Sequence, residues 1–211
     1  MYKAVVFDVD GTMVDTEDAV AEAKLKILAE KGRTMDRSEM LKKIWGKPRY
    51  KSFELLGIED TEENHDKMTR YMLEFSSLIR FYDGIKETVR KLHDAGIKLG
   101  IVTSRIREEL GYDMEPSGLV NLFDITVCYE DTAEHKPHPE PLQLFLQKSG
   151  LAADQVLFIG DTVYDMQCAA AAGVDFGLAL WGTTEPDTLN GEFRLEHPSE
   201  ILVACLGYNI A

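Results

Sequence analysis

The sequence predicts an α/β fold: a parallel sheet covered by helices on both faces, with an all-helical domain inserted into it. Three observations carry this. About five short apolar runs, rich in β-branched and aromatic residues, alternate with helical stretches in residues 4–9 and 82–206. Residues 16–81 hold helical spacing with almost no strand signal, and a single crossover would need far fewer residues. The chain has 211 residues, 45% hydrophobic and 28% charged, enough for a full core plus a smaller insert. The expected boundaries are a core of residues 1–15 and 82–211 and a helical insert of residues 16–81.

In chain order, Ala4 to Val9 is a strand, too short for a helix. Val20, Ala23, Leu25, Ile27 and Leu28 give helical spacing between Thr16 and Lys31, ended by Gly32. Helical character continues over Ser38–Trp45, Tyr50–Leu56 and Thr61–Arg80, the last opened by Thr61 with the acidic pair Glu62 and Glu63. After Gly84, Ile85–Ala95 is an amphipathic helix stopped by Gly96, and Lys98–Thr103 is a buried strand. Arg105–Tyr112 and Pro116–Leu122 are short helical pieces, Ile125–Cys128 is strand and Pro139–Ser149 is helix. Val156–Ile159 is strand, Asp165–Ala172 helix, Phe176–Trp181 strand and Ser199–Leu206 a final helix.

Composition narrows the function. The formal net charge of -14 disfavours nucleic acid and anionic membrane as partners. It leaves room for a small anionic substrate, because a bound divalent cation can make a local site positive. No apolar stretch approaches the ~20 residues that span a bilayer, and the Met-Tyr-Lys start leads straight into a strand, so no signal peptide is expected. Cys128, Cys168 and Cys205 are widely spaced and form no even disulfide set, so buried thiols in a reducing cytoplasm are expected.

The stretch "VVFDVDGTMVDT" closes a buried strand with Asp8, Asp10 and then Asp15. Buried carboxylates need a partner or a metal. In open α/β sheets, ligands bind beyond the carboxyl ends of the strands. Those ends carry Asp8 and Asp10, then Thr103 and Ser104, then Lys136, then Asp161 and Asp165. This set suits phosphoryl transfer. Asp8 and Asp161, helped by Asp165, can share Mg²⁺ through oxygen. A carboxylate nucleophile gives an aspartyl-phosphate intermediate. Two residues along a strand, Asp10 returns to the same face and can serve as general acid and base. Thr103 and the Ser104 backbone would hold phosphate oxygens, Lys136 would balance charge, and Gly11 would let the chain turn away.

At these residues the chain resembles the haloacid dehalogenase superfamily, in its phosphoglycolate phosphatase-like branch with a helical cap after the first motif. "DVDGTMVDT", "VTSR", "KPHPEPL" and "IGDTVYDMQCAAAAG" look like its four motifs, in order and spacing, over nearly the whole chain. The resemblance implies a Rossmann-like core and Mg²⁺. It implies Asp8 as nucleophile, Asp10 as acid/base and, through its backbone carbonyl, a metal ligand. Thr103 and Lys136 would bind phosphate, and Asp161 and Asp165 would hold the metal. It also implies a cap loop near "GKPRYKSF" that selects the substrate, where Lys47 and Arg49 either contact an anionic group or are exposed charges beside Pro48. Trp45 and Phe53 are expected in the cap core, and hinges near Asp15–Glu17 and Phe81–Gly84. A monomer or weak homodimer is expected.

Plainer roles compete for some residues. Asp15 and Thr16 suit a helix N-cap, Asp165 can cap its own helix, and His135 and His138 read as exposed loop residues. Among activities, hydrolysis of phosphoglycolate-like compounds or sugar phosphates leads. A β-phosphoglucomutase-like isomerase would carry a cap histidine, and "DTEDAVAEAKLKI" offers none. Asp10 argues against haloalkanoate dehalogenation and against phosphonate hydrolysis, for which Lys24 and Lys26 are the cap lysines on offer. Inorganic pyrophosphate remains open as a substrate, and a non-catalytic phosphometabolite-binding protein is the alternative of a different class.

Overall fold

The structure is a computed structural model that describes residues 2–44, 46–47 and 49–207. It divides into two compact units, Met1–Val14 with Phe81–Ala211, and Asp15–Arg80. The chain opens with β1 (Ala4–Phe7), wholly buried, and the short β2 (Val14–Asp15). Four helices follow: α1 (Glu17–Glu30), α2 (Arg37–Ile44), α3 (Arg49–Leu56) and α4 (Glu62–Glu74). Then come β3 (Arg80–Phe81), α5 (Ile85–Asp94), β4 (Lys98–Val102), α6 (Arg107–Ser117) and β5 (Ile125–Val127). The rest is α7 (Glu140–Ser149), β6 (Val156–Gly160), α8 (Val163–Ala172), β7 (Asp175–Ala179), β8 (Phe193–Leu195) and α9 (Glu200–Leu206).

Six strands form one sheet in the order β5-β4-β1-β6-β7-β8, and every pairing is parallel. The chain runs outward from β1 through β4 to β5, then crosses to the other side of β1 for β6, β7 and β8. The strand order therefore reverses at β1, where open α/β sheets form their ligand crevice. Register sharpens the point: Phe7 is level with Ile101 on one side and Ile159 on the other. Residues just past these three positions must share one rim.

Helices form where apolar spacing and end signals agree. In α5 the buried Ile85, Val89 and Leu92 fall on one stripe, and the helix starts after Gly84 at φ 85. α8 opens with a capping box, Thr162 with Asp165, and stops at the left-handed Gly173. The core beneath the sheet includes Val6, Val102, Phe145, Phe158, Phe176 and Leu178.

The second unit has its own core of Ala19, Ala23, Ile27, Met40, Phe53, Met68 and Tyr71, so Phe53 packs as expected. Trp45 lies outside the described residues. Thr61 caps α4, accepting from Asn64 N at 3.3 Å. Lys24 is buried, its Nζ donating to Ser52 Oγ at 2.7 Å.

Three local expectations change. A sixth sheet strand, β8, continues the sheet beyond β7; it has only three residues, with Arg194 exposed between Phe193 and Leu195. The helix expected over Thr61–Arg80 stops at Glu74, and Arg80–Phe81 instead pairs with β2 where the chain passes between the units. α6 runs through Pro116, one residue before its end, and stops at the left-handed Gly118.

Candidate active site

The rim above β1 is built by tight turns. After Phe7, Asp8 N still bonds Ile159 O at 2.9 Å, so Asp8 remains in register at the carboxyl end of the sheet. The chain then folds on itself: Met13 N and Val14 N both bond Val9 O, and Gly11 N bonds Val14 O. Gly11 has φ +80, and a Cβ there would stand 2.2 Å from Asp161 Oδ2. No other residue type fits that turn beside that carboxylate.

Three carboxylates converge. Asp8, Asp161 and Asp165 each offer an oxygen, all within 4.8 Å of one another, and all three residues are buried. Lys136, only 8% exposed, reaches in from the loop before α7. Its Nζ donates to Asp8 Oδ1 and to Asp165 Oδ1, each at 2.6 Å. Asp165 divides its work, for its Oδ2 accepts from Thr162 N at 3.1 Å and Thr162 Oγ1 at 2.5 Å. The helix-capping role and the rim role are thus both present, one on each oxygen. Asp161 Oδ1 accepts from Thr12 Oγ1 at 2.9 Å.

The charges do not balance. One ammonium faces three carboxylates in a dry setting. Burial, then the charges of Asp165 and Asp10, push Asp8 up to about 7 against the opposing pull of Lys136. Burial and its acidic neighbours also raise Asp161 well above the usual carboxylate range. Burial alone would lower Lys136, but Asp165 and Asp8 hold it above the ordinary lysine range. This donor set, hard oxygens with excess negative charge, fits a hard divalent cation such as Mg²⁺.

Asp10 points elsewhere. Arg105 Nε donates to its Oδ2 at 2.9 Å and Nη2 to its Oδ1 at 2.7 Å. Its carboxylate is therefore outside the three-carboxylate cluster of Asp8, Asp161 and Asp165. Thr103 is buried and its Oγ1 accepts from Arg105 N at 3.1 Å, while Ser104 is exposed at the same strand end. Lys47 and Arg49 lie in the second unit, Lys47 exposed just before α3 and Arg49 half-buried as its first residue. His138 is exposed, but His135 is half-buried and stacked on Tyr129 with ring centroids 3.8 Å apart, a correction to the exposed reading. At the start of α1, Asp15 Oδ1 accepts from Glu17 N at 3.1 Å, so Asp15 supplies the capping bond and Thr16 the N-cap position.

Sequence reasoning missed Arg105, Thr12 and Trp181. Arg105 stood inside the quoted "VTSR", and a rim this acidic called for a second cation. Thr12 follows the turn glycine, where a hydroxyl can reach back to the rim. Trp181 Nε1 donates to Thr12 O at 2.9 Å, a contact across 169 positions that no local signal announces.

The parallel sheet thus gathers three carboxylates around a lysine at its strand ends. Residues 5–179 match the haloacid dehalogenase-like hydrolase family, and the chain belongs to that family. It is 28% identical over 210 residues to pyrophosphatase PpaX of Bacillus velezensis, with 94% of each chain covered. With PpaX of Bacillus pumilus it shares 29% over 210 residues, again with 94% of each covered. Among solved structures, a candidate phosphoglycolate phosphatase from Lactobacillus plantarum is 33% identical, with 96% of this chain and 98% of that one covered and a TM-score of 0.89. A candidate haloacid dehalogenase-like hydrolase from Bacteroides fragilis is 27% identical, with 95% and 100% covered and a TM-score of 0.83. Among the described residues no helix is long and apolar enough to cross a membrane.

Proposed function

We propose that this enzyme is a Mg²⁺-dependent phosphatase that hydrolyses small phosphorylated metabolites through a phosphate ester of Asp8. The observation that carries this reading is the burial of Asp8 against Lys136 Nζ at 2.6 Å, beside Asp161 and Asp165. Asp8 is the carboxylate at the end of the central strand, where a substrate phosphorus would meet it. Bound Mg²⁺ would neutralise phosphate charge and let an anionic nucleophile approach an anionic substrate. Asp8, Asp161, Asp165 and the Asp10 carbonyl would hold it.

The protein's own groups do the rest. Lys136 keeps Asp8 oriented and offsets the charge of the transferring phosphate. Thr103 and the Ser104 backbone hold phosphate oxygens. Asp10 gives a proton to the leaving oxygen, then takes one from the water that cleaves the aspartyl phosphate. Residues 16–81 are assigned as the cap domain and residues 1–15 and 82–211 as the core domain, and Lys47 and Arg49 are assigned to an anionic group of the substrate. Three buried free cysteines support a reducing, cytoplasmic setting.

Phosphoglycolate-like compounds and sugar phosphates lead as substrates, and the structural relative from Lactobacillus plantarum supports that choice. The names of the PpaX relatives favour a second reading, inorganic pyrophosphate. Phosphate release from a panel of both classes, with Mg²⁺, with chelator and with Asp8→Asn, tests the proposal. Mg²⁺-dependent release abolished by Asp8→Asn is the expected result. Release that survives both chelator and substitution sinks it.

A further inference from the structure

The loop after β7 has no part in the chemistry above, yet it meets the rim with no slack. Trp181 Nε1 donates to Thr12 O at 2.9 Å, and Thr12 Oγ1 donates to Asp161 Oδ1 at 2.9 Å. Thr12 is 0% exposed. A Cβ on Gly182 would stand 1.6 Å from Gly11 O, and a Cβ on Gly11 would stand 2.2 Å from Asp161 Oδ2. Backbone therefore lies directly on backbone, and then on carboxylate, across the loops that follow β7, β1 and β6. Indole N–H is a donor only, so its direction leaves one reading of the contact. The hydroxyl of Thr12 in turn has a single proton, and Asp161 receives it.

We propose that Trp181 is a positioning residue of the metal site: through Thr12 it fixes the orientation of Asp161 and so sets the affinity for a divalent cation. This rests on the metal reading of Asp8, Asp161 and Asp165. Groups that orient a metal's ligands typically cost about 10- to 100-fold in affinity when removed. The effect here passes through two hydrogen bonds, so the lower end of that range applies.

Calorimetric titration of Mg²⁺ into wild type, Trp181→Phe, Thr12→Val and the double variant tests this. Trp181→Phe keeps the ring and removes the N–H. Each single variant is expected to bind Mg²⁺ about tenfold more weakly. The double variant should be no weaker than the worse single, because both cut one chain of contacts. Losses that multiply overturn the relay. Unchanged Mg²⁺ affinity in Trp181→Phe, with only its metal-free melting temperature lowered, makes the loop a mere prop and overturns the inference alone. Absence of Mg²⁺ binding by wild type overturns the metal reading as well. A second measurement covers a variant that fails to fold. In a Trp45→Phe background, Trp181 is the remaining tryptophan, and its emission should follow the Mg²⁺ binding curve. Emission indifferent to saturating Mg²⁺ contradicts the proposal.

Discussion

Arg105 forks onto Asp10, with Nε on one carboxylate oxygen at 2.9 Å and Nη2 on the other at 2.7 Å. The pair joins the loop after β1 to the loop after β4. Arg105 is nearly buried, its side chain 7% exposed, while that of Asp10 is 41% exposed. A two-pronged contact fixes the plane of a carboxylate as well as its position. On the proposed reading, in which Asp10 is the general acid and base, Arg105 would hold it at a set angle. In Arg105→Met, kcat should fall about 10- to 100-fold with KM little changed, and Arg105→Lys should recover part of the loss. Steady-state kinetics on the best substrate checks this; an effect on KM alone would make Arg105 a binding group instead.

Lys136 is the counter-charge on which the rim stands. Replacing it with methionine leaves Asp8 and Asp165 buried without their shared partner. The expected cost is about 3 kcal/mol of stability in the metal-free protein. Activity should fall at least about 100-fold, since the same ammonium would face the transferring phosphate. Denaturant unfolding and turnover, measured side by side, separate the two effects.

On the metal reading, Asp161 would trade stability for binding. Asparagine there keeps an oxygen for Thr12 and removes a crowded charge. At pH 8 without metal, Asp161→Asn should melt higher by about 3 °C, corresponding to about 1 kcal/mol in a chain of this size. Added Mg²⁺ should raise the wild-type melting temperature and leave that of the variant nearly still. Thermal scans with and without Mg²⁺ decide it.

The acidity of Asp8 sets a pH dependence. Its folded value of about 7 lies above its ordinary value of 3.8. Between those values the folded protein holds a proton that the unfolded chain has released. Metal-free stability should therefore decline as pH rises through this window. Raised Asp161 adds in the same direction. Mg²⁺ competes with these protons, so its affinity should strengthen from pH 5.5 to 7.5. Calorimetry at several pH values reads this out, and an affinity that weakens with rising pH would contradict it.

Much of this was legible because strand ends are legible. Asp8, Thr103 and Asp161 each follow an apolar run, and the parallel register of Phe7 with Ile101 and Ile159 does the rest. Lys136 was found by its place between strands, although its bonds to Asp8 and Asp165 bridge 128 and 29 positions. Arg105 and Trp181 escaped because their partners are fixed by three-dimensional closure; nothing within a few residues marks Arg105 as the mate of Asp10. β8 escaped for a different reason. Its Phe193 and Leu195 are too few to make a period, and the sheet supplies the rest of the signal.

The central claim is that Asp8 carries the phosphate. Borohydride reduction of the enzyme during turnover with Mg²⁺, followed by peptide mass spectrometry, tests it most directly, because reduction converts an aspartyl phosphate to homoserine. The account predicts homoserine at position 8 and at no other aspartate, dependent on both substrate and Mg²⁺. Sustained turnover with Asp8 unmodified, or with the label at Asp10, Asp161 or Asp165, would contradict it.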